Sequence, residues 1–320
     1  REPHRALLAD EGAEQGLPAA LQLVGVRCPA LPAGLADADH DGAPTGELAR
    51  LHALRALLRE QCAAQPRSSA LVFCNTRVAA MRAWKFLNDG GEGLVAALLS
   101  GEMEQPDREQ SLFLLRQQAV HALVATDLGA RGLDVDGLEL VVNFELPPEW
   151  DRVTFVHRAG RTARAEAQGR CLSLCASGAE ERTLQAWVDE SGTHELQWDA
   201  LSGGNGERAA RLQPPYWCAV RIGGGKRAKL SKGDVLGAVV ALTGIPGSQV
   251  GRIEVFADCA LVGLPRASAR EAAAALRAGK IKRERRLVQI ASADQVSLKA
   301  DGFRVASARA DVSPPDRGWR

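Results

Sequence analysis

Three arginines recur at intervals of three within residues 157–164, which read HRAGRTAR. Arg158, Arg161 and Arg164 therefore have neighbours on one side of a helical turn. Each guanidinium group presents a planar fork of N–H donors that matches the oxygens of a phosphate group. Because a histidine precedes these arginines and a glycine separates them, the pattern favours a phosphate-binding cluster over a surface helix whose charges only confer solubility.

Two other polar segments follow apolar runs earlier in the chain. Residues 100–108 read SGEMEQPDR and come directly after the run 94–99, and residues 125–134 read ATDLGARGLD and continue the run 119–126. In open α/β sheets, ligands bind beyond the carboxyl ends of the strands. We therefore expect these two loops and the arginine segment to meet at one edge of a sheet.

The spacing of apolar residues predicts the elements that position these loops. Apolar runs typical of buried strands occupy residues 70–74, 94–99, 119–126, 138–144 and 170–174, and helical spacing occurs in 48–58 and in the stretch through Trp84 and Leu87. Strands that alternate with helices predict a parallel, doubly wound α/β sheet. Residues 45–195 are therefore predicted to form one α/β domain.

A second, smaller domain is predicted for residues 211–290. Strand patterns occupy 217–222, 251–255, 259–263 and 287–290, and helical patterns occupy 232–242 and 268–278. The order β-α-β-β-α-β is typical of a ferredoxin-like or RRM-like α+β domain. Around the two domains we expect an irregular segment at 1–44, a glycine-rich linker at 196–210 and a disordered tail at 291–320.

Charge is distributed unevenly between these regions. The formal net charge of the chain is +1, but residues 211–290 contain 15 Lys and Arg residues against 5 Asp and Glu residues, so this segment carries +10 and the rest of the chain −9. A basic block on an acidic chain is the electrostatic footprint of a nucleic-acid-binding module. The size of the excess favours this interpretation over a merely solvated lysine-rich face.

The ordered motifs of the first domain resemble those of the second RecA-like domain of the DEAD-box RNA helicases. The matching segments are residues 71–76 (LVFCNT, motif IV), Gln105 and Arg108 (Gln-x-x-Arg), residues 125–134 (motif V) and residues 157–164 (motif VI). The resemblance covers residues 46–190. It implies a RecA-like fold and a site for ATP and RNA.

The resemblance also implies roles for individual residues. Arg161 and Arg164 would face the γ-phosphate of ATP, one of them as an arginine finger, and His157 would couple the two domains of a helicase core. Asp134 and Gly132 would contribute to the nucleotide site, with Asp134 at the ribose.

The second domain resembles the C-terminal RNA-binding domain of the DbpA-type subgroup of these helicases. Residues 220–238, 250–255 and 278–282 carry the resemblance, and the Thr-Ala-Arg sequence at 162–164 occurs in the same subgroup. It implies binding to structured RNA, namely a hairpin of large-subunit ribosomal RNA (23S rRNA in pre-50S particles), and a cytoplasmic role in ribosome assembly. We expect a monomer that binds neither DNA nor membranes.

Polar and cationic side chains are the predicted RNA contacts. In the first domain, the resemblance assigns contacts with the RNA backbone to Gln105, Arg108 and Thr126. In the second domain, residues 259–263 lack an aromatic side chain that could stack on a base, so affinity should depend on phosphate contacts. The predicted contacts there are Lys226, Arg227, Lys229, Lys232, Lys280, Lys282 and Arg283.

Half of the expected ATP site has no counterpart in these 320 residues. A DEAD-box enzyme requires a first RecA-like domain with a P-loop and an Asp-Glu-Ala-Asp motif that holds Mg²⁺. The sequence Gly223-Gly-Gly-Lys226 is the nearest match to a P-loop, but Arg227 follows where Ser or Thr is required. We therefore expect part of an ATP-dependent RNA helicase that does not hydrolyse ATP alone. The alternative is a non-catalytic RNA-binding scaffold.

Composition argues against several other classes. No apolar run approaches the roughly 18 residues that a transmembrane helix requires. The seven cysteines are scattered without a Cys-x-x-Cys pair, which predicts buried thiols in a reducing compartment rather than a zinc site or a disulfide framework. We expect no metal site within these residues.

Overall fold

The computed structural model describes residues 17–29, 45–89, 93–130, 138–163, 168–200 and 212–293. Within these ranges the chain forms two sheets, one parallel and one antiparallel, and each sheet has helices packed against it. The predicted site residues Gly132, Asp134 and Arg164 lie outside the described residues.

The first domain contains a seven-stranded sheet. Its strands are β1 (Leu21–Arg27), β2 (Ala70–Cys74), β3 (Ala96–Leu99), β4 (Ala122–Thr126), β5 (Leu140–Asn143), β6 (Gly169–Cys175) and β7 (Leu196–Ala200). The strand order is β3-β4-β2-β5-β6-β1-β7, and every neighbouring pair is parallel. The helices are α1 (Thr45–Ala64), α2 (Arg77–Asp89), α3 (Gln105–Arg116), α4 (Asp127–Ala130), α5 (Arg152–Ala159) and α6 (Gly178–Asp189). The predicted doubly wound α/β sheet is confirmed.

Both faces of this sheet are buried. On the central strand β2, Leu71 and Phe73 join the core on one face, whereas Val72 and Cys74 join the core on the other. Parallel strands covered on both sides consist of continuous apolar residues rather than alternating ones. That continuity is the reason why short apolar runs identified the central strands from sequence.

The second domain has a four-stranded antiparallel sheet with two helices on one face. Its elements are β8 (Trp217–Gly223), α7 (Lys232–Thr243), β9 (Ile253–Val255), β10 (Cys259–Pro265), α8 (Arg266–Ala278) and β11 (Val288–Ile290). The strand order is β11-β8-β10-β9, so the first and third strands of the domain are central, as in the ferredoxin-like fold. The predicted RRM-like domain is confirmed.

Helix α7 shows how local sequence sets these elements. Ser231 and Asp234 form a capping box, in which the Ser231 hydroxyl accepts from the Asp234 N–H (3.1 Å) and the Asp234 carboxylate accepts from the Ser231 N–H (2.9 Å). The helix ends at Gly244, whose φ of 72° is readily adopted by glycine.

Two strands lie in segments that were expected to be irregular. Strand β1 falls within residues 1–44 and lies between β6 and β7, and β7 falls within the expected linker at 196–210. The expectation is therefore wrong for these residues. The two strands pack closely on each other, because a Cβ at Gly25 of β1 would lie 2.5 Å from the Trp198 ring of β7.

The beginning of the expected C-terminal tail also has a structural role. The Ala291 N–H donates to the Ala219 carbonyl (2.9 Å), and the Trp84 indole N–H is 3.3 Å from the Ala293 carbonyl. The expectation of disorder is wrong for residues 291–293. Residues 1–16, 30–44, 201–211 and 294–320 lie outside the described residues, and none of the described helices combines the length and apolarity needed to cross a membrane.

Candidate nucleotide and RNA interface

Arg158 connects the loops at the carboxyl edge of the parallel sheet. Its Nε lies 2.7 Å from Asp127 Oδ1, and its Nη2 lies 2.5 Å from Asp127 Oδ2 and 2.8 Å from Asn75 Oδ1. Its Nη1 donates to the Glu145 carbonyl at 2.9 Å. These partners follow β2, β4 and β5, so a single side chain holds the ends of three strands together.

The burial of Arg158 corrects the interpretation of the arginine triplet. Its side chain is 2% exposed, and its donors point at a carboxylate, an amide and a carbonyl of the chain itself. A buried guanidinium of this kind needs such partners because leaving water is costly for a charge. Arg158 is therefore a structural residue and not part of a phosphate-binding cluster with Arg161.

Helix α5 places the other residues of motif VI. It begins after Asp151, whose carboxylate accepts from the Thr154 N–H at 3.1 Å, and it ends at Gly160. His157 is exposed on this helix, and Arg161 is half-buried in the turn that follows it. The turn with Arg161 lies at the amino ends of β5 and β6, because Thr162 pairs with Leu138 ahead of β5. The expectation that this segment meets the other two loops at the carboxyl edge is therefore wrong for Arg161, and only the guanidinium of Arg158 reaches that edge.

The turn after Arg161 is held tightly against the sheet. The Thr162 hydroxyl donates to the Leu138 carbonyl, and a Cβ at Gly169 would lie 2.1 Å from the Thr162 oxygen. Only glycine fits at 169. Ala163 adopts a φ of 56° in this turn, a conformation that residues other than glycine rarely take.

The predicted RNA contacts of the first domain lie at the ends of β3 and β4. Arg108 donates to the Ser100 carbonyl at 3.0 Å and to the Gly129 carbonyl at 3.2 Å, and so joins the two loops. The Thr126 hydroxyl accepts from the Gly129 N–H at 3.2 Å and is buried. Gln105 is exposed at the start of α3. The three residues therefore share one edge, where Arg108 and Thr126 shape the loops and Gln105 faces solvent.

In the second domain, residues 223–231 form a cationic loop that is fixed to the turn between β9 and β10. The backbone N–H groups of Lys226 and Arg227 donate to the carbonyls of Phe256 (2.7 Å) and Ala257 (2.9 Å). Gly225 packs so closely that a Cβ would lie 2.4 Å from the Phe256 carbonyl oxygen. The loop therefore presents its cations from a rigid backbone.

A second cationic segment, residues 280–286, lies directly on this loop. Lys282 Nζ contacts the Lys229 carbonyl and is 3.1 Å from Asp234 Oδ2. Arg286, with a side chain only 6% exposed, donates to the carbonyls of Ile281 (3.2 Å) and Gly223 (3.4 Å). Arg286 thus holds the two segments together and is structural.

These contacts bring the predicted RNA-binding cations onto one surface. We call this set the cationic surface; it consists of Lys226, Arg227, Lys229, Lys232, Lys280, Lys282 and Arg283, all exposed. Two of the seven have carboxylate partners, since Arg227 is 2.7 Å from Asp258 and Lys282 pairs with Asp234. Hydrogen bonds from the Ser231 hydroxyl and N–H, together with Lys282, lower the pKa of Asp234.

Sequence reasoning missed the partners of Arg158. Asn75, Asp127 and Glu145 are polar residues that directly follow or closely trail buried strands. Their positions at the carboxyl ends of parallel strands were a usable signal, because such ends converge at one edge. Within the described residues there is no group of three His, Cys, Asp or Glu side chains that could hold a metal ion.

Comparisons with known proteins agree with this arrangement. Residues 49–166 match the helicase conserved C-terminal domain, and residues 219–290 match the DbpA RNA binding domain. The ATP-dependent RNA helicase DbpA of Escherichia coli is 39% identical over 215 residues, which are 67% of this chain and 45% of that protein. The DbpA of Bacillus subtilis is 26% identical over 227 residues, 64% of this chain and 46% of that protein.

A structure of Saccharomyces cerevisiae Dbp5 bound to RNA and ADP BeF3 matches 57% of this chain and 42% of that chain, with 21% identity and a TM-score of 0.46. The chain spans less than half the length of the two DbpA relatives. It belongs to the DEAD-box RNA helicase family. Within that family, its helicase C-terminal domain followed by a DbpA RNA-binding domain makes it a protein of the DbpA type.

Proposed function

We propose that this chain provides the second RecA-like domain and the RNA-anchoring domain of an ATP-dependent RNA helicase that acts on large-subunit ribosomal RNA during ribosome assembly. One observation carries the proposal: Arg108 and Thr126 of the helicase motifs lie together at the carboxyl edge of a parallel sheet, and the same chain holds a rigid cationic surface on a separate domain. The first feature suits nucleotide and RNA chemistry, and the second suits anchoring to structured RNA.

Arg161 supports the nucleotide half of the proposal. It lies half-buried in the turn after α5, which packs at the amino ends of β5 and β6, and a guanidinium there fits the oxygens of a phosphoryl group. ATP bound between two RecA-like domains would supply the phosphoryl group, with Arg161 and Arg164 stabilising its charge and Asp134 and Gly132 at the nucleotide. An arginine finger of this kind increases the rate by roughly 10³–10⁵-fold.

The rest of the ATP site is assigned to another RecA-like domain. The sequence contains no Gly-x-x-x-x-Gly-Lys-Ser/Thr loop, and so the proposal places the P-loop and the Mg²⁺ ligands on a first domain that meets this one at the face carrying His157. These 320 residues should not hydrolyse ATP alone. The lack of a P-loop also favours the alternative function, a non-catalytic RNA-binding scaffold.

The RNA half of the proposal depends on the cationic surface. Its cations contact phosphates, which position RNA without reading its sequence, so selection of a ribosomal hairpin would come from the shape of the folded RNA. We propose 23S rRNA in pre-50S particles as the target, a cytoplasmic location and a monomeric state. Binding should fall steeply with salt because counterions are released from each contacted phosphate.

Reconstitution separates the two functions. The chain is mixed with the separately produced first RecA-like domain of E. coli DbpA, and ATP hydrolysis is measured with and without a 23S rRNA hairpin fragment. The helicase proposal expects no hydrolysis by the chain alone, RNA-dependent hydrolysis by the mixture, and loss of that hydrolysis in Arg161→Ala. Hydrolysis by the chain alone, or an Arg161→Ala mixture that remains fully active, would contradict it. RNA binding without reconstituted hydrolysis would support the scaffold.

A further inference from the structure

One face of the second domain's sheet packs on the first domain. Ala219 of β8 and Leu261 of β10 point away from the domain's own helices and belong to the hydrophobic core of the first domain. Polar contacts surround them: Arg221 Nη1 is 3.4 Å from Gln110 Oε1, and Arg116 Nη1 is 3.4 Å from Glu254. Helix α3 of the first domain is thus seated against this face.

Gln117, at the end of α3, fills a slot in the second domain. Its Oε1 accepts a hydrogen bond from the Arg252 backbone N–H at 2.7 Å, and the side chain is buried. Gly251 and Gly263 form the walls of the slot and are joined by the Gly251 N–H to Gly263 carbonyl bond of 2.9 Å. A Cβ at either glycine would lie 2.3 Å from an atom of the Gln117 side chain, so only glycine leaves room.

The backbone conformation at the end of α3 directs the Gln117 side chain into this slot. The Gln118 N–H donates to the Leu115 carbonyl (2.9 Å), and the Ala119 N–H donates to the Leu114 carbonyl (2.8 Å). With Gln118 at a φ of 54°, these bonds form a Schellman motif, which stops the helix and fixes the position of its last residues. The conformation is defined although no glycine is present in the motif.

The same helix carries the RNA edge of the first domain at its other end. Gln105 and Arg108 lie in its first turn, and Gln117 follows its last residue. A helix of 12 residues is about 18 Å long. The docking contact and the predicted RNA contacts are therefore held a fixed distance apart by one rigid element.

We propose that Gln117 docks the second domain onto α3, so that the two domains move as one body and the sheet face is closed to RNA. RNA bound at the cationic surface is then held at a fixed position relative to the RNA edge of the first domain. The consequence for bound RNA rests on the proposed RNA-binding function, whereas the docking of the two domains does not depend on it.

A double-mutant cycle on the full chain tests the docking. Hydrogen–deuterium exchange is measured for peptides that contain the Arg252 amide in Gln117→Ala, Gly263→Ala and the double variant. Gln117→Ala removes the acceptor, and Gly263→Ala forces the side chain out, so each should speed exchange about tenfold. The double variant should be no faster than Gln117→Ala, because the three nearest atoms to a Cβ at Gly263 all belong to Gln117.

Two results would overturn the docking proposal. One is exchange in Gly263→Ala equal to that of the unaltered chain. The other is an additive effect in the double variant, including a Gly263→Ala chain that unfolds and is not restored by Gln117→Ala. The control is Gly237→Ala on α7, where a Cβ would meet nothing within 4 Å, and exchange at Arg252 should remain unchanged.

RNA binding then tests the consequence of docking. Gln117→Ala should bind an rRNA hairpin within about twofold of the unaltered chain, because distant sites act independently. Clearly tighter hairpin binding in this variant would mean that undocking uncovers an RNA-binding face, and it would overturn the proposal. If the unaltered chain binds no RNA, the proposed function fails, whereas the exchange cycle still decides the docking.

Discussion

Arg158 and Asp127 form an ion pair beneath the motif loops, with Arg158 Nε 2.7 Å from Asp127 Oδ1 and Nη2 2.5 Å from Oδ2. Replacing the buried arginine leaves the Asn75 amide oxygen and the Glu145 carbonyl without their donor, whereas the Asp127 carboxylate is 36% exposed and is solvated by water. Leaving such buried polar groups unsatisfied costs about 1–3 kcal/mol. Arg158→Met should lower the free energy of unfolding by about this amount in guanidinium chloride titrations.

An exposed ion pair provides the control for Arg158→Met. Arg77 and Glu102 pair with side chains 58% and 49% exposed, and exposed pairs contribute little because water solvates both charges. Arg77→Met should therefore change the free energy of unfolding by less than about 0.5 kcal/mol. Equal effects of the two substitutions would contradict the structural role of Arg158.

Lys229 combines two properties that substitution can separate. It is exposed on the cationic surface, and its φ is 55°, where residues other than glycine are strained by about 1–2 kcal/mol. Lys229→Gly should therefore be more stable to thermal unfolding than Lys229→Ala by about 1 kcal/mol. Both variants lose the same charge and should show the same reduction in RNA affinity, and a difference in affinity between them would argue against a purely electrostatic contact.

His121 links the first domain to the chain that enters the second. Its Nδ1 accepts from the Val95 N–H at 2.9 Å, and its Nε2 is 3.2 Å from the Gln213 carbonyl. The ring must be neutral with a proton on Nε2 to make both bonds. Burial lowers the pKa of His121 below 6.5, and the nearby Arg266 guanidinium lowers it further, whereas the hydrogen bond to the Gln213 carbonyl raises it.

This depressed pKa predicts a stability that depends on pH. Between the folded and unfolded pKa values, the unfolded chain binds more protons at this site, so stability rises with pH. The contribution is complete above about pH 6.5 and declines as the pH falls below it, by at most about 1.4 kcal/mol per pH unit. His121→Gln should remove this part of the slope in denaturant titrations from pH 8 to pH 5, and an unchanged slope would contradict the assignment.

The sequence predicted the elements whose signals are local. Strand β2 was expected at residues 70–74 and occurs there because all of its residues are buried. Helix α7 was expected at 232–242 and occurs at Lys232–Thr243, where a capping box and a terminal glycine bound it. Strands β1 and β7 were missed because neither has a helical crossover pattern on both sides, and both are stabilised by partners distant in sequence.

The sequence predicted which residue types form the site, but it did not predict the separate role of each residue. Spacing grouped Arg158 with Arg161. Only the positions of the Glu145 carbonyl and the Asp127 carboxylate show that the Arg158 guanidinium is already bound within the protein. The contact of Gln117 with Arg252 spans 135 residues, and glutamine has no signature that distinguishes docking from solvent exposure. Such contacts follow from tertiary packing, which local propensity does not encode.

The residues of the cationic surface are expected to contribute unequally to RNA affinity. Each phosphate contact contributes about 0.7–0.9 to the slope of log affinity against log salt. Lys226→Ala should lower this slope by nearly one contact, whereas Arg227→Ala should lower it less because Asp258 already lies 2.7 Å from the guanidinium. Asp258→Asn should release Arg227 and strengthen binding.

Fluorescence anisotropy with an rRNA hairpin between 50 and 200 mM salt measures these slopes. Arg270 serves as the control because it is exposed on α8 and lies outside the cationic surface, so Arg270→Ala should leave both slope and affinity unchanged. Equal losses for Lys226→Ala and Arg270→Ala would mean that overall charge, and not this surface, attracts the RNA. Weaker binding by Asp258→Asn would show that the Arg227–Asp258 pair is itself part of the RNA contact, since release of the guanidinium can only add to phosphate attraction.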